Sequence, residues 1–205
     1  ADEFHDKHLD FISNLKSIII VEKPIISLLK YKKNYVNFLN RIYKKNKKII
    51  VCYPMSFLCK EFLPYLNKKN KKIKFNFNTG GRYNYKKIAI NLMPHALTFL
   101  TKLIKINEDT KINIYKSSFR KNNCKFNLKI EKTNVEILLS ENLGQKTILS
   151  ITDDKNKITR LTKQLKSKFI NLLKIKNKIF TIKNPMSEFF KNFFININNK
   201  NYYSK

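Results

Sequence analysis

The apolar positions of the first eighty residues change period several times. Phe4, Leu9, Phe11, Ile12 and Leu15 recur at helical spacing and predict an amphipathic helix over residues 3–16, while Ile18-Ile19-Ile20-Val21 reads as a continuous apolar strand of the kind buried on both faces of a parallel sheet. Pro24 ends that strand. Leu28, Leu29, Tyr35, Phe38, Leu39 and Ile42 predict a helix over 27–45, and Ile49-Ile50-Val51-Cys52 centres a second buried strand over 48–53. A helix over 56–67, bent at Pro64, and an alternating strand over 73–78 with Ile73, Phe75 and Phe77 on one face follow. Helix and strand in alternation imply an α/β layer with a largely parallel sheet.

Thr79-Gly80-Gly81-Arg82-Tyr83-Asn84 holds two of the 3 glycines and predicts a loop where the backbone turns tightly or approaches something closely. Residues 88–105 read as a long apolar helix, with Pro94 near its first turn or at a kink. The period then falls to two. Segments 112–115, 124–130, 135–139 and 147–151 are short and alternating, separated by Asn, Lys, Gly and Asp, as in an antiparallel meander. A helix over 165–173, a strand over 179–182, a helix over 186–194 and an Asn/Lys-rich tail from Asn196 complete the prediction. The fold class expected is α/β then α+β, divided into residues 1–53, an α+β domain over 54–195 with an open, mostly antiparallel sheet, and a flexible basic tail over 196–205. A first helix that runs straight into an unpaired strand, with no initiator Met, reads as a start cut into the middle of a fold.

Composition narrows the classes. With 42% hydrophobic residues, 16 Phe and 10 Tyr, 205 residues fill a core. A net charge of +29 attracts polyanions at long range, but Lys is spread from Lys7 to Lys205 in company with Asn, Ile, Tyr and Phe, the residues that A- and T-rich codons specify. No single basic block stands out, so charge alone names no partner. Cys52, Cys59 and Cys124 form no CxxC pair, which predicts reduced, mostly buried thiols, no structural metal and a cytoplasmic setting. No stretch approaches the roughly 18 to 20 apolar residues of a membrane span, and no membrane association is expected.

Two runs offer chemistry. Glu22-Lys23-Pro24 places an ammonium at the carboxyl end of a buried strand, and Asn91-Leu92-Met93-Pro94-His95 places an imidazole on an apolar helix. Histidine titrates near pH 6.5 and suits proton transfer at neutrality, and a desolvated Lys beside it can polarise an oxygen and relay a proton. Asn91 lies four residues before His95, so the two share a helical face. Tyr53 and Met55 follow the second strand's carboxyl end, where α/β sheets bind ligands, and Arg82 and Tyr83 in the glycine loop can reach substrate hydroxyls or phosphates. His5 and His8 read as packing or surface residues. No nucleophile constellation for covalent catalysis stands out.

With these residues in view, the chain resembles the glucose-fructose oxidoreductase and inositol dehydrogenase family (Gfo/Idh/MocA) from the last helix of its nucleotide-binding half onward. Glu22-Lys23-Pro24 matches the family's EKP, Asn91 to His95 stands in the place of its D-x-x-x-H, and His5 occupies the place of the His that opens the preceding helix, 17 positions before Glu22. The resemblance implies that residues 1–53 are the end of a Rossmann-like domain lacking its glycine-rich part. It implies a nicotinamide cofactor, NAD or NADP, resting near Glu22, Lys23 and Pro24, with His95 as acid/base, Lys23 as proton relay and Asn91 beside them. A sugar, polyol or nucleotide-sugar alcohol, contacted by Arg82, Tyr83, Tyr53 and Met55, is the implied substrate, and homo-oligomerisation through the antiparallel sheet is the implied assembly. Asn91 departs from the family's Asp: a neutral amide orients an imidazolium without stabilising its charge, so a weaker base is expected. The alternatives are a basic, ribosome-associated nucleic-acid-binding protein, for which net charge is the whole argument, and a non-catalytic binding or assembly module derived from the oxidoreductase fold.

Overall fold

The computed structural model describes residues 5–15, 17–22, 35–46, 48–67, 71–104, 106–107, 109–165 and 168–197, and the chain divides into two compact units, residues 1–54 with 186–205 and residues 55–185.

In the first unit, α1 (His5–Ile12) precedes β1 (Ile19–Glu22), and α2 (Tyr35–Lys45) precedes β2 (Ile49–Cys52). The two strands pair in parallel with Ile19 opposite Ile49 and Glu22 opposite Cys52. Phe38 and Ile42, one turn apart on α2, close on Leu9 of α1 and Ile19 of β1 to form a small core. Parallel pairing requires a crossover, and Asn46 at the end of α2 anchors it. Its buried amide donates to the carbonyls of Leu15 and Ser17 at 2.8 and 3.0 Å and accepts from the Lys48 N–H at 2.8 Å, satisfying backbone groups that the turn leaves unpaired. Burial on both faces of β1 is not what the described residues give, since Ile20 is 39% exposed. At the chain's other end α5 (Pro185–Asn196) belongs to this unit from Met186 onward, with Cys52 Sγ 3.8 Å from Met186 Sδ.

The second unit is a mixed eight-stranded sheet with helices on one face. Its elements are α3 (Met55–Phe62), extended by one 3₁₀ turn at Leu63–Tyr65, β3 (Lys72–Thr79), α4 (Lys86–Ile104), β4 (Ile112–Arg120), β5 (Asn123–Ile130), β6 (Thr133–Glu141), β7 (Ile148–Thr152), β8 (Lys157–Leu165), β9 (Lys168–Ile175) and β10 (Lys178–Ile182). The order across the sheet is β10-β9-β8-β7-β3-β6-β5-β4; β3 and β6 are parallel and every other neighbour is antiparallel. The expected α/β then α+β architecture with an open, mostly antiparallel sheet is present. β3, however, joins this sheet, not the parallel pair, and sits at its centre.

Period-two alternation explains the layering. Ile73, Phe75 and Phe77 of β3, Val135, Ile137 and Leu139 of β6 and Cys124, Phe126, Leu128 and Ile130 of β5 are buried, as are Ile88, Leu92, Ala96, Phe99, Leu100 and Leu103 of α4. Phe99 meets Phe62 edge-on at 5.2 Å and Phe75 at 5.7 Å, so α3, α4 and the sheet share one aromatic centre. The opposite face is mixed: on it Glu136 pairs with Lys125 at 2.9 Å and with Lys74 at 3.4 Å, and Ile148, Leu161 and Leu172 stand side by side further along the sheet.

Three local expectations need correction. The helix expected over 165–173 is instead β8 and β9, paired from Ile158 opposite Ile175 to Leu165 opposite Lys168. Leu165, Phe169, Leu172 and Leu173 mimic helical spacing, but Asn171, Leu173 and Ile175 alternate as a half-buried strand, and pairing with neighbours on both sides overrides the weaker helical signal. Of the two placements expected for Pro94, the first turn of α4 is excluded: it stands nine residues in, where it gives the Ile90 carbonyl no helical N–H. Pro64 ends α3 in a 3₁₀ turn without continuing it. The expected helix over 27–45 is described from Tyr35 only, and residues 23–34, together with the tail from 198, lie outside the described residues.

Candidate active site

The helix that bears His95 starts from a tightly tied loop. Tyr85, with φ at 51°, is one of the non-glycine residues in the left-handed region. Its N–H donates to the Lys121 carbonyl at 3.1 Å and its own carbonyl accepts from Cys124 Sγ at 2.9 Å, which pins the start of α4 to the β4–β5 turn. From that fixed start α4 runs antiparallel to β3 and β6, and its rise matches their repeat. Four helical residues advance about 6 Å and two strand residues about 6.6 Å, so every helical turn meets the next inward-facing pair below.

The matches are specific. Phe99 packs on Phe75, opposite Ile137; His95 packs on Phe77, opposite Leu139, with ring centroids 5.1 Å apart at 83°; and Asn91 Nδ2 donates to Glu141 Oε1, opposite Thr79, at 2.6 Å. The column is apolar at its base, polar at its top, and His95 sits at the transition.

Glu141 organises the polar end. It is 2% exposed, and besides Asn91 it accepts from the Tyr83 N–H through Oε2 at 2.9 Å. Gly81 makes this approach possible: a Cβ there would fall well inside van der Waals contact distance of Glu141 Oε2. A Cβ on Gly80 would stand 2.8 Å from the Gln145 carbonyl oxygen. Around them Asn78 Nδ2 donates to Gln145 Oε1 at 2.7 Å, Ser140 Oγ donates to Asn78 Oδ1 at 2.8 Å, and the Asn142 N–H reaches the Thr79 carbonyl at 3.0 Å. The close approach expected of the glycine loop is therefore made to the carboxyl ends of β3 and β6.

Arg82 and Tyr83 line a cleft of about 540 Å³ with Tyr85, Lys86, Lys87 and Phe119, the Lys86 ammonium lying 6.0 Å from the Phe119 ring centre. Neither Asn91 nor His95 lines that cleft; both lie further along α4, and Asn91 is joined to it through Glu141 and the Tyr83 N–H. Met55 opens α3 and is buried, and Tyr53 follows β2 in the first unit, half-buried. Glu22 ends β1, while Lys23 and Pro24 lie outside the described residues, as does the side chain of Glu22. His8 is exposed on α1 and His5 opens that helix.

All 3 cysteines are buried and none forms a disulfide. Burial pushes the Cys59 thiol up to about 11 and raises that of Cys124, so neither offers a thiolate near neutrality. The lysines are dispersed over both units: Lys44 and Lys45 end α2, Lys86 and Lys87 open α4, and Lys174, Lys176 and Lys178 flank the β9–β10 turn, all exposed. Among the described residues no helix is long and apolar enough to cross a membrane.

Glu141 was not among the residues singled out from sequence. The signal was present: it continues the inward series Val135, Ile137, Leu139 by one more step of two, which puts a carboxylate on the face of β6 that meets a helix.

No protein-family model matches the sequence, and no curated protein matches it. Solved structures do match in fold. A dehydrogenase (MviM) from Clostridium difficile aligns with a TM-score of 0.64 at 11% identity over 97% of this chain and 69% of that one. A 3-ketoreductase from Actinomadura kijaniata in complex with NADP aligns at 0.61 with 7% identity over 96% and 66%. The WlbA (WbpB) dehydrogenase from Thermus thermophilus, in complex with NAD and UDP-GlcNAcA, aligns at 0.56 with 15% identity over 95% and 62%. The chain thus spans about two thirds of the length of the structures it matches. Across that span, the small parallel sheet followed by the large mixed sheet under α4 is the fold of the Gfo/Idh/MocA-type dehydrogenases.

Proposed function

We propose that this chain is the substrate-holding part of an NAD(P)-dependent oxidoreductase acting on a sugar, polyol or nucleotide-sugar alcohol, with His95 as the acid/base. The observation that carries the reading is the column on α4, in which an imidazole is held between an aromatic floor at Phe77 and a polar cap at Asn91 and Glu141. An imidazole sealed in a core needs no such cap. One placed at a polar boundary can meet a hydroxyl, accept its proton and return it.

The nicotinamide cofactor supplies hydride chemistry when bound. Glu22 ends β1 at the carboxyl edge of a parallel strand pair, the edge at which α/β sheets hold ligands; that position fits the cofactor role assigned to Glu22, Lys23 and Pro24. In this reading Lys23 polarises the substrate oxygen and relays the proton. Arg82 and Tyr83 hold the substrate's more distant groups from the cleft beside α4, and Tyr53 and Met55 contribute from the β2–α3 connection. The open face of the sheet, around Lys74, Lys125 and Glu136, is the surface through which the reading has copies associate; a monomer in sedimentation at micromolar concentration contradicts that part.

The test is alcohol-dependent NAD(P)H formation by the protein expressed from its intact gene. His95→Ala and Lys23→Ala are each expected to lower kcat by about 100-fold or more while the circular dichroism spectrum stays unchanged. Undiminished turnover in His95→Ala rejects the assignment.

A further inference from the structure

The base proposed above stands beside a neutral amide, yet that amide is tied to a buried carboxylate. Glu141 Oε1 accepts from Asn91 Nδ2 at 2.6 Å, and its Oε2 accepts from the Tyr83 N–H at 2.9 Å. A carboxylate oxygen in such a bond only accepts, so Glu141 decides which end of the Asn91 amide faces the strand: the NH₂ end. The carbonyl end is thereby turned the other way. His95 lies on the same helical face one turn further on, above Phe77.

We propose that Glu141 is a positioning residue for His95: bonded to Asn91 one helical turn before it, Glu141 fixes the amide on the face that carries the imidazole and supplies from β6 the negative charge that an Asp at position 91 would supply directly. The proposal rests on the reading of His95 as acid/base. The proton moved is the alcohol's: its O–H bond breaks, an N–H bond forms on the imidazole, and Glu141 neither gains nor loses a proton. Glu141→Gln disturbs this arrangement in a defined way. One side-chain NH₂ then replaces an acceptor, the Tyr83 N–H claims the remaining oxygen, Asn91 must turn its carbonyl to the Gln, and the negative charge is gone.

Among the described residues, these groups face this part of α4. α3 turns Cys59 inward and β5 contributes Cys124, thiols that burial raises and keeps neutral. β3 presents Phe75 and Phe77, β6 presents Glu141, and the loop before the helix contributes Arg82 and Tyr83. Lys86, Lys87 and Lys102 of α4 itself are exposed, and Glu136 of β6 lies on the far face of the sheet with Lys125 and Lys74.

The experiment is an NMR titration of the His95 ring in the intact chain, with its signal assigned among the 3 histidines by its loss in His95→Asn. Glu141→Gln is expected to lower the His95 midpoint by about half a pH unit or more, because a stabilising negative charge is lost. Asn91→Leu, which cuts the link and leaves the carboxylate in place, is expected to lower it too and serves as the reading if Glu141→Gln fails to fold. Asn91→Asp in the Glu141→Gln background is expected to restore it. An unchanged midpoint in the folded variants overturns the proposal. Because the titration needs no turnover, a lowered midpoint in a chain that oxidises no alcohol upholds the coupling and rejects only the catalytic reading, whereas turnover with an unshifted midpoint rejects only the positioning role.

Discussion

Phe77 meets the imidazole of His95 edge-on, with ring centroids 5.1 Å apart and ring planes at 83°. The contact sets the depth at which the imidazole sits, because Phe77 is buried, rests against Phe75 and is paired in register with Leu139. Phe77→Ala should destabilise the second unit by about 3–5 kcal/mol, the usual loss for a buried aromatic and the cavity it leaves. Phe77→Leu keeps most of the volume and should lose less. Urea unfolding of the two variants measures the difference, and equal midpoints would show that Phe77 is not the floor described.

Gly81 and Glu141 make a second prediction. Since a Cβ at position 81 would overlap Glu141 Oε2, Gly81→Ala must push the carboxylate away from the Tyr83 N–H and strain its bond to Asn91. The expected loss is about 1–3 kcal/mol, that of a buried polar group deprived of a partner. Gly144→Ala, at a position with open space but φ of 79°, controls for backbone strain alone. Thermal denaturation followed by circular dichroism should place Gly81→Ala below Gly144→Ala. The reverse order would deny the close packing of loop and strand.

The open face of the sheet predicts a pH dependence. Lys125, by hydrogen bond and then by charge, and Lys74 hold the Glu136 carboxyl below its ordinary 4.5. A depressed carboxylate stabilises the fold above its unfolded value and loses that contribution as pH falls through the folded one. The pair is largely solvated, so its worth is that of a surface ion pair, about 0.2–1 kcal/mol. Lys125→Met should therefore lower the urea midpoint slightly at pH 7, and the difference should shrink as pH falls through the folded value and Glu136 becomes protonated in both states. A difference that does not shrink with falling pH would assign the effect to packing of the lysine stem.

The sequence carried the fold unevenly, and the reasons are physical. Strands with one buried face, such as Ile73-Phe75-Phe77 and Val135-Ile137-Leu139, announce themselves by period two, and β1 and β2 by continuous apolar runs. β8 and β9 were hidden because Arg160 and Asn171 occupy inward positions, where a hydrophobic pattern breaks. They satisfy each other there, Arg160 donating to Asn171 Oδ1 through Nη2 at 2.6 Å, and no local signal reports a bond between positions on different strands. The candidate site was half legible. Asn91 and His95 follow from helical spacing and the glycine loop from its composition, but Glu141 reaches Asn91 only because β6 lies parallel beside β3, a pairing of distant segments.

The proposal that Lys23 and His95 serve one proton transfer is tested most directly by a double-mutant cycle on kcat/KM of the intact gene product. Groups that serve the same proton transfer are not independent, so Lys23→Ala, His95→Ala and the double variant should all fall to nearly the same residual activity. Losses that multiply, with the double variant as far below either single as that single lies below the parent, would show two residues working apart and would contradict the account.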